Sequence, residues 1–318
     1  YKFYFKEGKN KIRFTGVNEP FTIRKLTIMN KGATPTYKEY AKTVDTSKFK
    51  AASVEPIKIQ GEDSIRRSSP SLYAIYDRSS SKTEPYSLVR TKMNMIGGTQ
   101  WKVAGDWIEW EMDIPEDGLY TISLKERQGY TRGMVATRGL YIDGEVPFEE
   151  LKGLTFKYSS NWQSFLLQDS DGEVFRIPLT KGKHTIRMEV TLGEFGGLLS
   201  EMTDSVFRLN DMYRQILVLT GSTPDEYRDY QIDKVFPNIV EAMGLESKRL
   251  YKLVDDVVAY TGEKNQQIAI AQTLAAQLEL FNKEPRKIPS TLGNFKENVS
   301  SFGTTINSMS ESSIDIDY

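Results

Sequence analysis

Four tryptophans are the residues of this 318-residue chain best suited to chemistry with a ligand. A flat indole face matches the apolar face of a sugar ring, so an exposed tryptophan in a loop is a candidate platform. Trp101 follows Gly-Gly-Thr-Gln and Trp162 follows Tyr-Ser-Ser-Asn, both loop-like settings. The alternative for each is a ring folded over the edge of the fold. Trp107 and Trp110 lie in Asp-Trp-Ile-Glu-Trp-Glu-Met-Asp-Ile, where strand alternation sets Trp107 beside Glu109 and gives Ile108 and Trp110 the core-facing side. Polar groups stand nearby in sequence. Arg-Gln-Gly-Tyr-Thr-Arg-Gly places Arg127, Tyr130 and Arg132 around glycines, and Asn161 precedes Trp162. A guanidinium there could grip the carboxylate of an acidic sugar in bidentate fashion; the alternative is a solvated hairpin.

Other chemistry is thinly represented. The acidic Gly-Glu-Asp at 61–63 could lend oxygens to a metal held with distant loops, or could simply be a solvated strand end. Asp-Ser-Asp-Gly-Glu at 169–173 begins like a calcium loop but lacks the later ligands, which favours a β-turn. The chain has no cysteine and one histidine, His184, read as an exposed strand residue. That removes thiolate and histidine-rich metal sites and disulfide frameworks. No phosphate loop, paired-carboxylate signature or activated serine is evident, so an enzyme is the weakest reading. A net charge of −1 and the lack of a basic, aromatic-interleaved stripe argue against nucleic acid as a partner. No apolar run approaches the ~20 residues of a transmembrane helix.

These residues must be positioned by two kinds of element. Residues 57–190 hold short alternating segments separated by Gly, Asp and Ser clusters, the pattern of an antiparallel β-sandwich. After Val190 the apolar period changes from two to about 3.6. Met202, Val206, Leu209, Tyr213 and Ile216 share one helical face. A second helix is expected from Ser222 onwards, with Thr223 as cap and Pro224 as first residue, bent at Pro237 and ended by Gly244. A third runs through Leu250 and Val257 to Gly262, a fourth from Gln266 to Phe281, and a last from Leu292 to Met309. One apolar face on each and short connections predict an antiparallel helical bundle. The fold class is therefore mixed, all-β followed by all-α. The expected domains are 1–33, the closing strands of a truncated sandwich; 34–56, a linker; 57–193, the sandwich; and 194–318, the bundle. The first expectation rests on a repeat: Tyr-Phe-Lys-Glu-Gly-Lys-Asn-Lys-Ile-Arg-Phe at 4–14 echoes Pro-Leu-Thr-Lys-Gly-Lys-His-Thr-Ile-Arg-Met at 178–188, as if two sandwiches ended alike. The chain is accordingly read as a piece of a longer protein.

The Gly-Asp-Trp-Ile-Glu strand, the Trp-Gln-Ser-Phe segment and the Lys-Gly-Lys-His-Thr-Ile-Arg hairpin resemble carbohydrate-binding modules of families 6 and 35, galactose-binding-like jelly-roll sandwiches, over about residues 57–190. The whole order of sandwich, Gly-Ser-Thr-Pro-Asp-Glu-Tyr-Arg-Asp-Tyr-Gln-Ile and bundle is similar to the amino-terminal part of bacterial extracellular solute-binding lipoproteins of sugar-type ABC importers. The resemblance implies that Trp101 and Trp162 stack on an oligo- or polysaccharide, assisted by Asn161, Tyr130 and Arg132. It also implies that Gln60 and Glu62 help to hold a structural calcium. The implied function is non-catalytic carbohydrate binding and scaffolding, outside the cell and tethered to its surface, with a transporter permease as partner of the parent chain. The alternative is a purely structural spacer or protein-interaction module. One departure stands out: such modules finish with a strand bearing Asn or Asp, whereas here Val190 runs on into a helix. The cleft is then incomplete unless that strand comes from elsewhere.

Overall fold

The computed structural model describes residues 8, 9, 11, 12, 22, 33–225 and 227–318. The chain forms two compact units, Tyr1–Ala33 and Thr34–Tyr318. The strands expected in 1–33, and with them the repeat of the hairpin, lie outside the described residues.

Within Thr34–Tyr318, residues 34–56 are more than the expected linker. Helix α1 (Tyr37–Thr43) is held by a capping box in which the side chains of Thr36 and Glu39 each accept the other's backbone N–H. Tyr37 is buried against Phe148 and Phe175, and its hydroxyl donates to the Val174 carbonyl while accepting from the Arg176 N–H. An aromatic anchor with its polar end satisfied makes this stretch part of the sandwich.

The sandwich has two five-stranded antiparallel sheets. The first runs β1 (Arg66–Arg67), β4 (Trp107–Ile114), β11 (Gly182–Val190), β7 (Val135–Ile142), β8 (Leu154–Lys157). The second runs β2 (Ala74–Ile75), β3 (Met95–Gly98), β12 (Ile314–Ile316), β6 (Ser123–Arg127), β9 (Gln163–Leu166). A small pair, β5 (Gly118–Tyr120) with β10 (Ile177–Leu179), completes it. Ile108 and Trp110 face the core as alternation requires, with Met188 from β11 and Ile314 and Ile316 from β12. Glu109, on the opposite face, is nonetheless buried, because Arg66 and Arg187 close over it with ion pairs of 2.5 and 2.7 Å. His184, expected as an exposed strand residue, does lie in β11 but is largely covered, bonding through Nδ1 to Asp143 Oδ2 at 2.6 Å and through Nε2 to the Thr180 carbonyl at 2.9 Å.

Strand β12 is the departure from the expected boundaries. It lies in the last residues of the chain, beyond the bundle, and takes the place between β3 and β6. The bundle is thus inserted before the sandwich's closing strand, and residues 312–318 belong to the sandwich rather than to a 194–318 bundle. The missing strand is supplied from elsewhere.

Four long helices build the bundle: α2 (Phe195–Thr220), α4 (Pro237–Thr261), α5 (Ala269–Lys283) and α6 (Ile288–Met309), with the single turn α3 (Ile232–Val235) before α4. Their apolar faces meet in one core containing Leu209, Leu250, Leu274, Phe281 and Phe295. Three expectations fail here. Thr223 and Pro224 start no helix. Pro237 opens α4 at its first position, where its missing N–H costs nothing, instead of bending it. Gly244 ends nothing either: it sits inside α4, and a Cβ there would come within 2.8–2.9 Å of the Asn282 side chain. Close approach of α4 and α5, not a break, accounts for this glycine. Gly262, with φ +84°, does cap the helix.

Candidate functional site

Arg127, at the end of β6, is the centre of a cluster on the outer face of the second sheet. Alternation along β12 sends Ile314 and Ile316 inward and Asp315 outward, opposite Arg127 in register. Arg127 Nε and Nη2 donate to Asp315 Oδ2 at 2.9 and 2.7 Å. The Tyr130 hydroxyl donates to Asp315 Oδ1 at 2.5 Å. Asp77, just past β2, lies 3.5 Å from Arg127 Nη1 and accepts the Trp162 indole N–H at 3.1 Å. The Arg127 guanidinium stacks on the Trp162 ring, 4.7 Å from its centroid. Gly98 at the end of β3 completes the floor; with φ +72° and only 3.0 Å from a would-be Cβ to the Tyr130 hydroxyl, it leaves no room for a side chain. Every strand of the sheet, or the loop beside it, contributes.

Electrostatics holds the cluster together. Burial pushes the Asp315 carboxyl up, only partly offset by the bonds from Tyr130 and Arg127. Burial also opposes ionisation of Asp77, but hydrogen bonds from Ser79 and Trp162 and the Arg127 charge outweigh it and hold that carboxyl below its usual range. The Tyr130 phenol is pushed up, first by burial and then by its bond to Asp315. It donates as a neutral hydroxyl.

Of the residues expected to bind sugar, Trp162 and Tyr130 are brought together here, Trp162 half-buried and Tyr130 partly exposed. Asn161 is exposed beside Trp162. Arg132 is exposed two residues beyond Tyr130, in a turn fastened to the bundle by Asn265, which donates to the Gly133 carbonyl at 2.8 Å. Trp101 is the correction. It is 0% exposed, with its N–H given to the Asp106 carbonyl at 3.1 Å and its ring capped by Arg138 at 4.2 Å and edge-on to Trp110. A ring with no open face cannot be a platform, so Trp101 serves the core. Arg138 is itself fully buried without a carboxylate partner among the described residues; it donates to the carbonyls of Thr137 and Trp101 and to the Ser312 hydroxyl, and burial lowers its pKa to about 9. Arginine on tryptophan recurs a third time, Arg187 over Trp107 at 4.2 Å, so the stack alone does not mark a site.

Arg127, Asp77 and Asp315 complete the cluster, and the last two were missed. The signal was present in Ser-Ile-Asp-Ile-Asp, a period-two stretch after the last helix.

Gln60 and Glu62 flank Gly61, whose N–H donates to the Asp317 carbonyl at 2.6 Å and where a Cβ would meet the Ile316 carbonyl at 2.7 Å. Gln60 Oε1 and Glu62 Oε2 are buried without hydrogen-bond partners, and burial, with the charges of Asp63 and Asp317, pushes the Glu62 carboxyl up to about 7. Orphaned oxygens suit a hard cation. Among the described residues no group of three His, Cys, Asp or Glu could hold a metal ion, so amide and carbonyl oxygens would have to complete any set.

The helical part has a class. Residues 198–312 match the family described as the four-helix bundle domain of bacterial solute-binding proteins. The match covers the helical part of the chain and ends where β12 returns to the sandwich. A cycloisomaltooligosaccharide glucanotransferase of Niallia circulans is 29% identical over 126 residues, 37% of this chain and 12% of that protein. The chain thus matches only a small part of this curated relative. Among solved structures, a family 35 carbohydrate-binding module from Clostridium thermocellum is 17% identical, with 43% of this chain and 88% of that one covered and a TM-score of 0.31. A Paenibacillus cycloisomaltooligosaccharide glucanotransferase complexed with cycloisomaltoheptaose is 19% identical, with 45% and 17% covered and a TM-score of 0.31.

Proposed function

We propose that the chain is a non-catalytic carbohydrate-binding and scaffolding region of a sugar-type ABC importer's solute-binding protein. The parent protein would lie outside the cell, tethered to its surface, and its partner would be the transporter permease. The observation that carries this reading is the convergence of Trp162, Tyr130, Arg127, Asp315 and Asp77 on one face: an indole platform beside fixed hydrogen-bonding groups. The match of 198–312 to the solute-binding bundle and the likeness to part of an enzyme named for its action on glucans lend support. Asn161 and Arg132 would orient hydroxyls at the rim. A structural calcium would be held by Gln60 and Glu62, supplying the positive charge that their orphaned oxygens lack.

Calorimetry against a panel of oligosaccharides tests the reading. Binding by at least one glycan, abolished by Trp162→Ala, is expected; no binding, or binding untouched by that substitution, leaves a structural spacer as the better account. Calcium should raise the sandwich melting temperature, and EDTA should lower it, in the wild type but not in Glu62→Gln.

A further inference from the structure

Arg127 is the guanidinium nearest the indole platform, and its binding edge is already spent. A uronic acid is best held by a free guanidinium fork, with two parallel N–H donors to one carboxylate. Here Nε and Nη2 both point at Asp315 Oδ2, and Nη1 faces Asp77 at 3.5 Å and the Ser79 hydroxyl at 2.5 Å. Two carboxylates thus share one cation. The lysines on this face are spent as well. Lys125, the next outward residue of β6, pairs with Asp317 at 2.6 Å, and Lys58 pairs with Glu84 at 2.6 Å; the exposed Arg78 stacks on Tyr76 at 4.9 Å, with no carboxylate partner among the described residues. Behind the sheet lies another acid, Glu126. Like charge repels an arriving carboxylate, whereas a hydroxyl can still donate to Asp77, whose side chain is 11% exposed while that of Asp315 is 0% exposed.

We infer that the Trp162 face selects neutral sugars and discriminates against uronic acids. This rests on the carbohydrate-binding reading above. Specificity here is partly repulsive: Asp77 and Asp315 lock Arg127 in place as a stacking partner for Trp162 and at the same time deny it to an acidic ligand. Arg78 and Arg132 stand outside this arrangement, and they are the arginines through which the inference could fail.

The full chain is titrated calorimetrically with isomaltoheptaose, mannohexaose and galactotetraose as neutral probes, and with tetragalacturonic acid and glucuronic-acid-substituted xylotetraose as acidic ones. At low ionic strength the tightest neutral probe should bind at least about tenfold more tightly than either uronate, and ~0.5 M salt should narrow that gap by screening the repulsion. Asp77→Asn, which keeps an oxygen to accept the Ser79 N–H, should raise uronate affinity about threefold relative to the neutral probe, with circular dichroism confirming an unchanged fold. A uronate bound as tightly as any neutral probe overturns the selectivity while leaving carbohydrate binding intact, most directly when Arg78→Ala or Arg132→Ala removes that affinity. No binding by any probe overturns both. A neutral probe whose binding survives Trp162→Ala places recognition elsewhere and overturns the assignment of this face.

Discussion

In the bundle, neighbours in the chain are neighbours in space: α4 packs on α2 and α5, and α6 closes the ring on α5 and α2. In the sandwich the decisive neighbours are far apart, Asp315 meeting Arg127 across 188 positions and Ser312 meeting Arg138 across 174. Local contacts form early and at little entropic cost, whereas distant strand pairing must wait for the intervening chain. The difference teaches that the candidate site is completed only when β12, beyond the bundle in sequence, pairs with β3 and β6. The bundle also anchors the loop that carries Tyr130: Met134, at its end, is buried in the helical core. Sandwich and bundle are therefore two cores joined at a shared loop and at the β11–α2 and α6–β12 connections.

The largest effect should come from removing the closing strand. Ending the chain at Met309 deletes Ile314 and Ile316, each 2% exposed or less and worth ~1.5–3 kcal/mol of burial, and bares the edges of β3 and β6. Near-ultraviolet dichroism from the tryptophans should vanish while the far-ultraviolet helical signal stays. If both collapse together, the bundle depends on the sandwich and the contrast between them breaks. Next is Leu274→Ala, at the centre of the helical core, which should cost ~2–5 kcal/mol in the helical melting transition. Tryptophan fluorescence should report an unmoved sandwich transition; a parallel shift would show one cooperative unit.

A subtler test lies in the sandwich core. Glu126 is buried, its Oε2 has no partner, and burial, with the nearby Asp315 charge, raises its pKa to about 7. The native state then holds a proton that the unfolded chain releases near pH 4.5, so stability is greatest below that pH, falls as pH rises through 7, and levels off above. Glu126→Gln should add ~1–3 kcal/mol at pH 8 and almost nothing at pH 4, read from urea midpoints. Equal gains at both pH values would mean that packing, not ionisation, sets the penalty. The smallest effect is expected from Gly244→Ala, where better helix propensity offsets the push on the exposed Asn282 side chain; the net change should stay within ~1 kcal/mol. A larger loss would show the α4–α5 approach to be rigid.

Much of this architecture is legible in periodicity. Alternation in 107–114 correctly divides Ile108 and Trp110 from Trp107 and Glu109, and Gly262 is a stop signal that holds. Gly244 and Pro237 mislead because each residue type has two uses: glycine ends helices or lets them approach, and proline bends a helix or begins one. Trp101 misleads because Gly-Gly-Thr-Gln resembles a loop, whereas the indole turns back beneath the sheet where Asp106 and Arg138 satisfy it.

By itself, the sequence determined which segments alternate, which are helical, and which face of each is apolar, since these follow from backbone geometry and side-chain type within a few residues. Only the tertiary structure decided that Ser-Ile-Asp-Ile-Asp crosses back to lie between β3 and β6, and that Asp77, Arg127, Tyr130, Asp315 and Trp162 share one face. A period-two stretch states which side is buried but not whose edge it joins. That choice is settled by packing between residues almost two hundred positions apart, where local pattern carries no information.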